Sequence, residues 1–306
     1  MLRLFILLLL SGMLAMIHSD KKDLQLPALE NGLASPGKRV AVVPAEYEGT
    51  GVHHILYLPP DWDPDWRNKG RSWPVVVEYT GNRFPTSGSS GEVEGAVLGY
   101  GLSGGKYIWV VLPFVAEDHQ HNEVTWWGDQ RATVEYAKKN VPRICKEFGG
   151  DSSRVFLCGF SRGAIAVNYM GLFDDEVAKL WCGFVTHDHY DGVREWKGTD
   201  WGSPLANYRE AAVQRLNRLQ GRPVLICQNG GTREIEQYLA ESKKLAEFTF
   251  VDVPVKEIFP QIPNALIIHP HTDRWLFVDS KARKQVWKWM ERVSDRKINL
   301  MTYETD

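Results

Sequence analysis

The chain has 306 residues, 43% hydrophobic, 24% charged and 11% aromatic, and its 36 basic and 38 acidic residues leave a net charge of -2. That composition excludes a disordered or collagen-like chain and supplies apolar material for a sizeable core. It has no basic stripe on which a phosphate backbone could condense, so nucleic acid is not an expected partner. The unusual feature is twelve tryptophans, two of them adjacent at Trp126 and Trp127.

The opening segment MLRLFILLLLSGMLAMIHSD carries an early positive charge at Arg3, an apolar run through Leu10 and small residues up to Ser19. It reads as a secretory signal peptide over 1–19, because Ser11, Gly12 and His18 interrupt a stretch already short for a membrane anchor. The expected location is secreted or periplasmic, with no membrane association after cleavage. Residues 20–306 then form one domain without repeats, low-complexity tracts or a long linker. Oligomeric state is left open. Cys145, Cys158, Cys182 and Cys227 lack the paired short spacings of a structural zinc site. They read as small buried hydrophobes, although export permits a disulfide.

Along the chain, strand-like apolar runs are predicted at 52–58, 75–79, 107–112, 155–159, 181–186, 224–227 and 265–268. Helices are predicted at 129–148, 162–171, 207–219, 233–247 and 280–293. Continuous apolar runs suit strands buried on both faces, and their alternation with helices implies right-handed crossovers. The expected class is α/β, with a mainly parallel central sheet flanked by helices. Chemistry in such sheets gathers in the loops at the carboxyl ends of the strands.

One of those loops holds Gly159, Phe160, Ser161, Arg162 and Gly163, a GxSxG pentapeptide between a predicted strand and a predicted helix. A strand that reverses into a helix within one turn holds the serine in strained geometry, and side chains at the flanking glycines would clash. The Arg162 amide then opens a helix, where an unpaired N–H and the helix dipole can stabilise a developing oxyanion.

With Asp151 ahead of the strand and Ser161 on the turn, the stretch GGDSSRVFLCGFSRGA resembles the α/β-hydrolase superfamily. Within it, the pattern is similar to secreted esterases of the polyhydroxybutyrate depolymerase and carbohydrate esterase type. The likeness runs in element order from Val52 to Val293 and is specific at the serine turn. It implies an α/β-hydrolase fold and a secreted serine hydrolase that needs no cofactor. Its expected substrate is a small-molecule or polymeric carboxylic ester, carbohydrate esters included. Arg162 is larger and more charged than the usual residue after the nucleophile, and could meet an acidic substrate group or a local carboxylate.

A serine hydroxyl needs a histidine to remove its proton and an acid to hold that histidine, and the superfamily order is serine, acid, histidine. His269 and His271 follow a late predicted strand. His271 lies further out, in an HTDRW segment that resembles the histidine loop of related esterases, and is the expected base. The strand reading RPVLICQ is followed by Asn229, Gly230, Gly231, Thr232, Arg233 and Glu234, with Thr232 near the acid's usual place. Glu234 is therefore the expected acid, with Asp191, after the preceding strand, as the alternative. Gly81 or Asn82, after the strand at 75–79, is expected to add an oxyanion-hole amide to that of Arg162. The Gly- and Ser-rich segment onward to Gly105 reads as a loop over the site.

A competing pattern is His187, Asp188, His189, Tyr190 and Asp191, which matches the HxHxD portion of the metallo-β-lactamase signature. Gly192 stands where that motif ends in another histidine, and the segment follows a serine turn rather than opening the fold. No metal is expected; a metal-dependent hydrolase is the alternative reading. A non-catalytic carbohydrate-binding protein on a hydrolase fold is another, and a secreted peptidase is less favoured. On the esterase reading, His187, Asp188 and His189 shape the substrate cleft. Trp126 and Trp127, in the loop after 107–112, are expected to offer a sugar-stacking platform, whereas Trp109, Trp181, Trp287 and Trp289 belong in the core.

Overall fold

Among the described residues, six of the predicted apolar runs join three further strands in one nine-stranded sheet. In the computed structural model, which describes residues 23–84, 89–260 and 271–296, the strands are β1 (Leu29–Glu30), β2 (Arg39–Val42), β3 (His54–Tyr57), β4 (Trp73–Tyr79), β5 (Ile108–Leu112), β6 (Gly150–Phe160), β7 (Gly183–His187), β8 (Pro223–Asn229) and β9 (Glu247–Val253). Their order across the sheet is β1-β2-β3-β5-β4-β6-β7-β8-β9. β3 runs antiparallel to β2 and β5, and every other pairing is parallel. The α/β class and mainly parallel sheet expected from the alternation are what the chain adopts.

Among the described residues, eight α-helices accompany the strands: α1 (Leu98–Ser103), α2 (Gln130–Phe148), α3 (Arg162–Tyr169), α4 (Asp175–Ala178), α5 (Leu205–Leu216), α6 (Arg233–Tyr238), α7 (Val255–Ile258) and α8 (Lys281–Ser294). Successive strand residues point to opposite faces. Val75, Val77 and Leu157 therefore pack on one side with Val141 of α2 and Ile165 of α3. Val76, Phe156 and Val185 pack on the other with Leu98 of α1 and Val286 of α8. Each such fully buried side chain contributes about 1.5–3 kcal/mol relative to exposure. Caps fix where the long helices begin: Asp129 accepts from the Ala132 amide at 2.9 Å and Ser280 from the Arg283 amide at 3.1 Å.

Three strands were not anticipated, and β9 shows why. The predicted helix 233–247 stops at Tyr238, a 3-10 turn covers Ala240–Leu245, and Glu247 opens β9 instead. As an edge strand, EFTFVDV alternates polar and apolar residues, so it lacks the continuous apolar run that marked the central strands. The segment expected to be a loop over the site carries α1, all six residues of which are buried. A Cβ on Gly99 would sit 2.5 Å from the Trp109 indole. The predicted strand 265–268, His269 and the predicted signal peptide lie outside the described residues. All four cysteines are buried and unpaired. Among the described residues, no helix is long and apolar enough to cross a membrane.

Candidate active site

At the carboxyl end of β6 the chain turns into α3 through Ser161, whose φ of 57° and ψ of -119° lie outside the regions favoured by L-residues. The glycines make that turn feasible. A Cβ on Gly159 would run into the Gly163 backbone, and one on Gly163 into the Tyr79 carbonyl. The Ser161 amide donates to the His187 carbonyl at 3.0 Å, which pins the turn to the end of β7.

His271 stands over this serine. Its Nε2 lies 2.8 Å from Ser161 Oγ and its Nδ1 2.5 Å from Asp188 Oδ2. With Nδ1–H donating to the carboxylate, Nε2 is the acceptor for the serine proton. The Phe160 ring lies 4.6 Å from the imidazole and walls one side. Asp188 itself is fully buried, with φ of 67°. Its amide donates to the Cys227 carbonyl, and its carboxylate accepts from the amide and side chain of Asn229 at 3.1 and 3.3 Å. The Asn229 side chain also donates to the Thr272 carbonyl at 2.9 Å, so one residue ties the carboxylate to the histidine loop. Burial works to raise the Asp188 carboxyl, but the hydrogen bond from His271 and the surrounding imidazoles outweigh it and hold it below its ordinary value.

The expected acids are therefore corrected. Glu234 is exposed in the first turn of α6. Asp191 is buried but committed to Arg215, which it holds in a two-point pair at 2.8 and 3.0 Å. Thr232, where the acid is usual, donates to Asp252. The carboxylate on His271 is Asp188, which the sequence reading placed in the cleft without giving it this partner. The signal was present in the sequence: Asp188 is the first carboxylate after the apolar run of β7, one strand before the usual position.

Opposite the histidine, Gly81 packs on the serine so closely that a Cβ there would lie 3.3 Å from Ser161 Cβ. The Arg162 amide opens α3, where the first N–H groups have no intrahelical acceptor. Asn82 turns its side chain away, accepting from the Trp126 amide at 2.7 Å. The Arg162 side chain meets neither a substrate-facing surface nor a carboxylate, contrary to expectation. It is 1% exposed and points inward. It donates to the carbonyls of Trp126 at 2.6 Å and Gly81 at 3.0 Å and to the Thr80 hydroxyl at 3.1 Å. Longer contacts reach the carbonyls of Glu123, Thr80 and Gly91 at 3.3–3.4 Å. Phe114 stacks 4.0 Å beneath it. Burial pushes its pKa down to about 9. The residue is a strut that fastens the Thr80–Gly81 turn and the Trp126 loop to the serine helix.

The adjacent tryptophans divide. Trp127 is 3% exposed and stacks on Tyr169 at 4.9 Å, so it is core rather than platform. Trp126 is half-buried, with its ring 5.0 Å from both Trp196 and Trp201. His189 lies 5.2 Å from Trp196 and 5.4 Å from His271, which joins this aromatic cluster to the serine–histidine pair. His187 does not reach the cleft. It is fully buried, accepts from Trp275 Nε1 at 2.5 Å, and is kept neutral by burial, which lowers its pKa to about 4. The HxHxD segment thus sends its side chains in different directions. Among the described residues no three His, Cys, Asp or Glu side chains converge on a common metal position.

No protein-family model matches the sequence, and no curated protein matches it. Solved structures do. One is a truncated carbohydrate esterase from gut microbiota, with a TM-score of 0.54 at 12% identity over 87% of this chain and 100% of that one. Another is the acylaminoacyl peptidase of Pyrococcus horikoshii, with a TM-score of 0.50 at 13% identity over 79% of this chain and 39% of that one. At such identities the likeness speaks for architecture. Together with the mainly parallel sheet and the strained serine turn between β6 and α3, it shows that the chain has the α/β-hydrolase fold.

Proposed function

We propose that this protein is an exported serine hydrolase that cleaves carboxylic esters of small or polymeric alcohols. The observation that carries the reading is the unbroken relay from Ser161 Oγ through His271 to Asp188, with contacts of 2.8 and 2.5 Å, on a strained turn packed against Gly81. The Ser161 hydroxyl attacks the ester carbonyl while His271 Nε2 takes its proton. Asp188 keeps the imidazole in the tautomer that accepts at Nε2 and stabilises the imidazolium as it forms. The tetrahedral oxyanion rests on the amides of Arg162 and Gly81. His271 then returns the proton to the leaving alcohol. A water deprotonated by the same imidazole attacks the acyl-serine and releases the carboxylic acid. Export is the expectation of the 1–19 segment.

The test is hydrolysis of p-nitrophenyl acetate and butyrate by the purified protein and by Ser161→Ala and His271→Ala. The reading requires turnover by the wild type and a loss of about 10⁴-fold or more in each variant. Wild-type turnover that survives Ser161→Ala would refute it.

A further inference from the structure

A cavity of about 180 Å³ opens between the Thr80–Gly81 turn and the histidine loop. Gly81, Phe160 and His271 form its wall toward the reaction centre, and Glu78 and Asp273 bring two carboxyl groups to it. Arg274 lines it as well and is exposed.

The two carboxyls are not equivalent. Glu78 is 1% exposed and fully occupied, accepting from the Leu98 and Gly99 amides at 3.2 and 2.7 Å and from Trp109 Nε1 at 2.9 Å. Asp273 is 9% exposed and starts the 3-10 turn Arg274–Phe277 without capping it through its side chain. Among the described residues no side-chain donor or cation pairs with it, and its own amide is the backbone contact it has. Asp273 lines the cavity, so a donor seated there can reach its carboxylate. Burial raises Asp273 to about 6, and burial together with Asp273 raises Glu78 to about 8. Glu78 has its donors already, so of the two carboxyls Asp273 is the open acceptor.

We propose that this cavity is a specificity subsite that seats a hydroxyl- or ammonium-bearing part of the ester substrate, which donates to Asp273. The proposal rests on the serine-hydrolase reading, because Gly81 and His271 link the cavity to Ser161. A hydrocarbon group in this position leaves Asp273 unpaired. A carboxylate brings Asp273 no donor and meets its like charge at short range, and is disfavoured. A neutral hydroxyl and an ammonium satisfy the same acceptor, and the charge of the preferred group separates them.

The experiment uses esters of matched length ending in methyl, hydroxyl, ammonium or carboxylate, with the variable group on the acyl side in one series and on the alcohol side in another. In one series the hydroxyl or ammonium ester is expected to exceed the methyl ester in kcat/KM by about 10-fold or more, with the carboxylate lowest. Asp273→Leu is expected to collapse that ratio to within about 3-fold, and Asp273→Asn to preserve a hydroxyl preference while abolishing an ammonium one. Fluorophosphonate labelling of Ser161 in each variant reports that it has folded. Wild-type preference for the methyl ester in both series, or a donor-to-methyl ratio unchanged in Asp273→Leu, overturns the subsite while leaving the hydrolase reading in place. Absence of both labelling and turnover in the wild type overturns the hydrolase reading, and the subsite with it.

Discussion

Replacing Arg162 with methionine keeps most of the side-chain volume and removes the fork that fastens two loops to the serine helix. Three of its six contacts are short, to Trp126 O at 2.6 Å, Gly81 O at 3.0 Å and Thr80 Oγ1 at 3.1 Å; the others, at 3.3–3.4 Å, add little. At about 1.5–3 kcal/mol for each hydrogen bond from a charged donor, the short contacts are worth about 5–9 kcal/mol gross. Against this stands the burial of a cation with no carboxylate partner. Its fall to about pKa 9 corresponds to about 5 kcal/mol. The net loss expected for Arg162→Met is thus about 0–4 kcal/mol, or a drop in Tm of up to about 10 °C. Freed from the guanidinium, the Gly81 turn shifts relative to Ser161, and a displacement near 1 Å lowers kcat/KM by about 10²-fold. Thermal unfolding and hydrolysis of a short acyl ester measure both effects. Arg162→Lys retains charge without the fork and falls between the two. If Arg162→Met melts with the wild type and loses activity only toward acidic substrates, the strut assignment is wrong and the side chain contacts substrate.

Glu234→Ala removes an exposed carboxylate while His271 keeps its bond to Asp188, so ester hydrolysis is expected to change by less than about 2-fold; a loss approaching 10³-fold would restore Glu234 as the acid. Asp191→Asn leaves the Arg215 guanidinium without its counter-charge in a largely buried position. Denaturant unfolding should show a loss of about 3–5 kcal/mol, and no change in midpoint would contradict the pairing. Asp273→Asn tests the charge state of the cavity. The folded carboxyl titrates near 6 rather than 3.8, so the folded protein binds the extra proton between those values and loses stability as pH rises through them. The variant should gain on the wild type by about 3 kcal/mol between pH 4 and pH 6.5 and hold that margin above. A Tm difference that does not vary with pH would refute it.

The parts legible in the sequence are those with short-range signatures. The GxSxG turn is visible because the positions flanking the serine lie against the Tyr79 carbonyl and the α3 backbone, where only glycine fits. The histidine loop stands out because few histidines follow the late strands. The structure brings Ser161 and His271 within hydrogen-bond distance. The acid was hidden because its assignment depends on which strand end faces the histidine, and that is set by sheet order. Asp188 and Asp191 follow the same strand, and Arg215, 24 residues beyond Asp191, takes the latter. Nor could adjacency in the sequence separate Trp126 from Trp127. The positive φ of 54° at Trp126, held by Asn82 and Arg162, turns one ring toward the cleft side and leaves the other in the core.

The central claim is that Ser161, driven by His271 and Asp188, is the nucleophile. Its most direct test is to treat the protein with a fluorophosphonate, locate the adduct by peptide mass, and time its formation in the wild type and in Asp188→Asn. The relay predicts a single adduct on Ser161, forming about 10³–10⁴-fold more slowly in Asp188→Asn because the amide favours the wrong imidazole tautomer. An adduct on another residue, or labelling of Ser161 at the wild-type rate in Asp188→Asn, would contradict it.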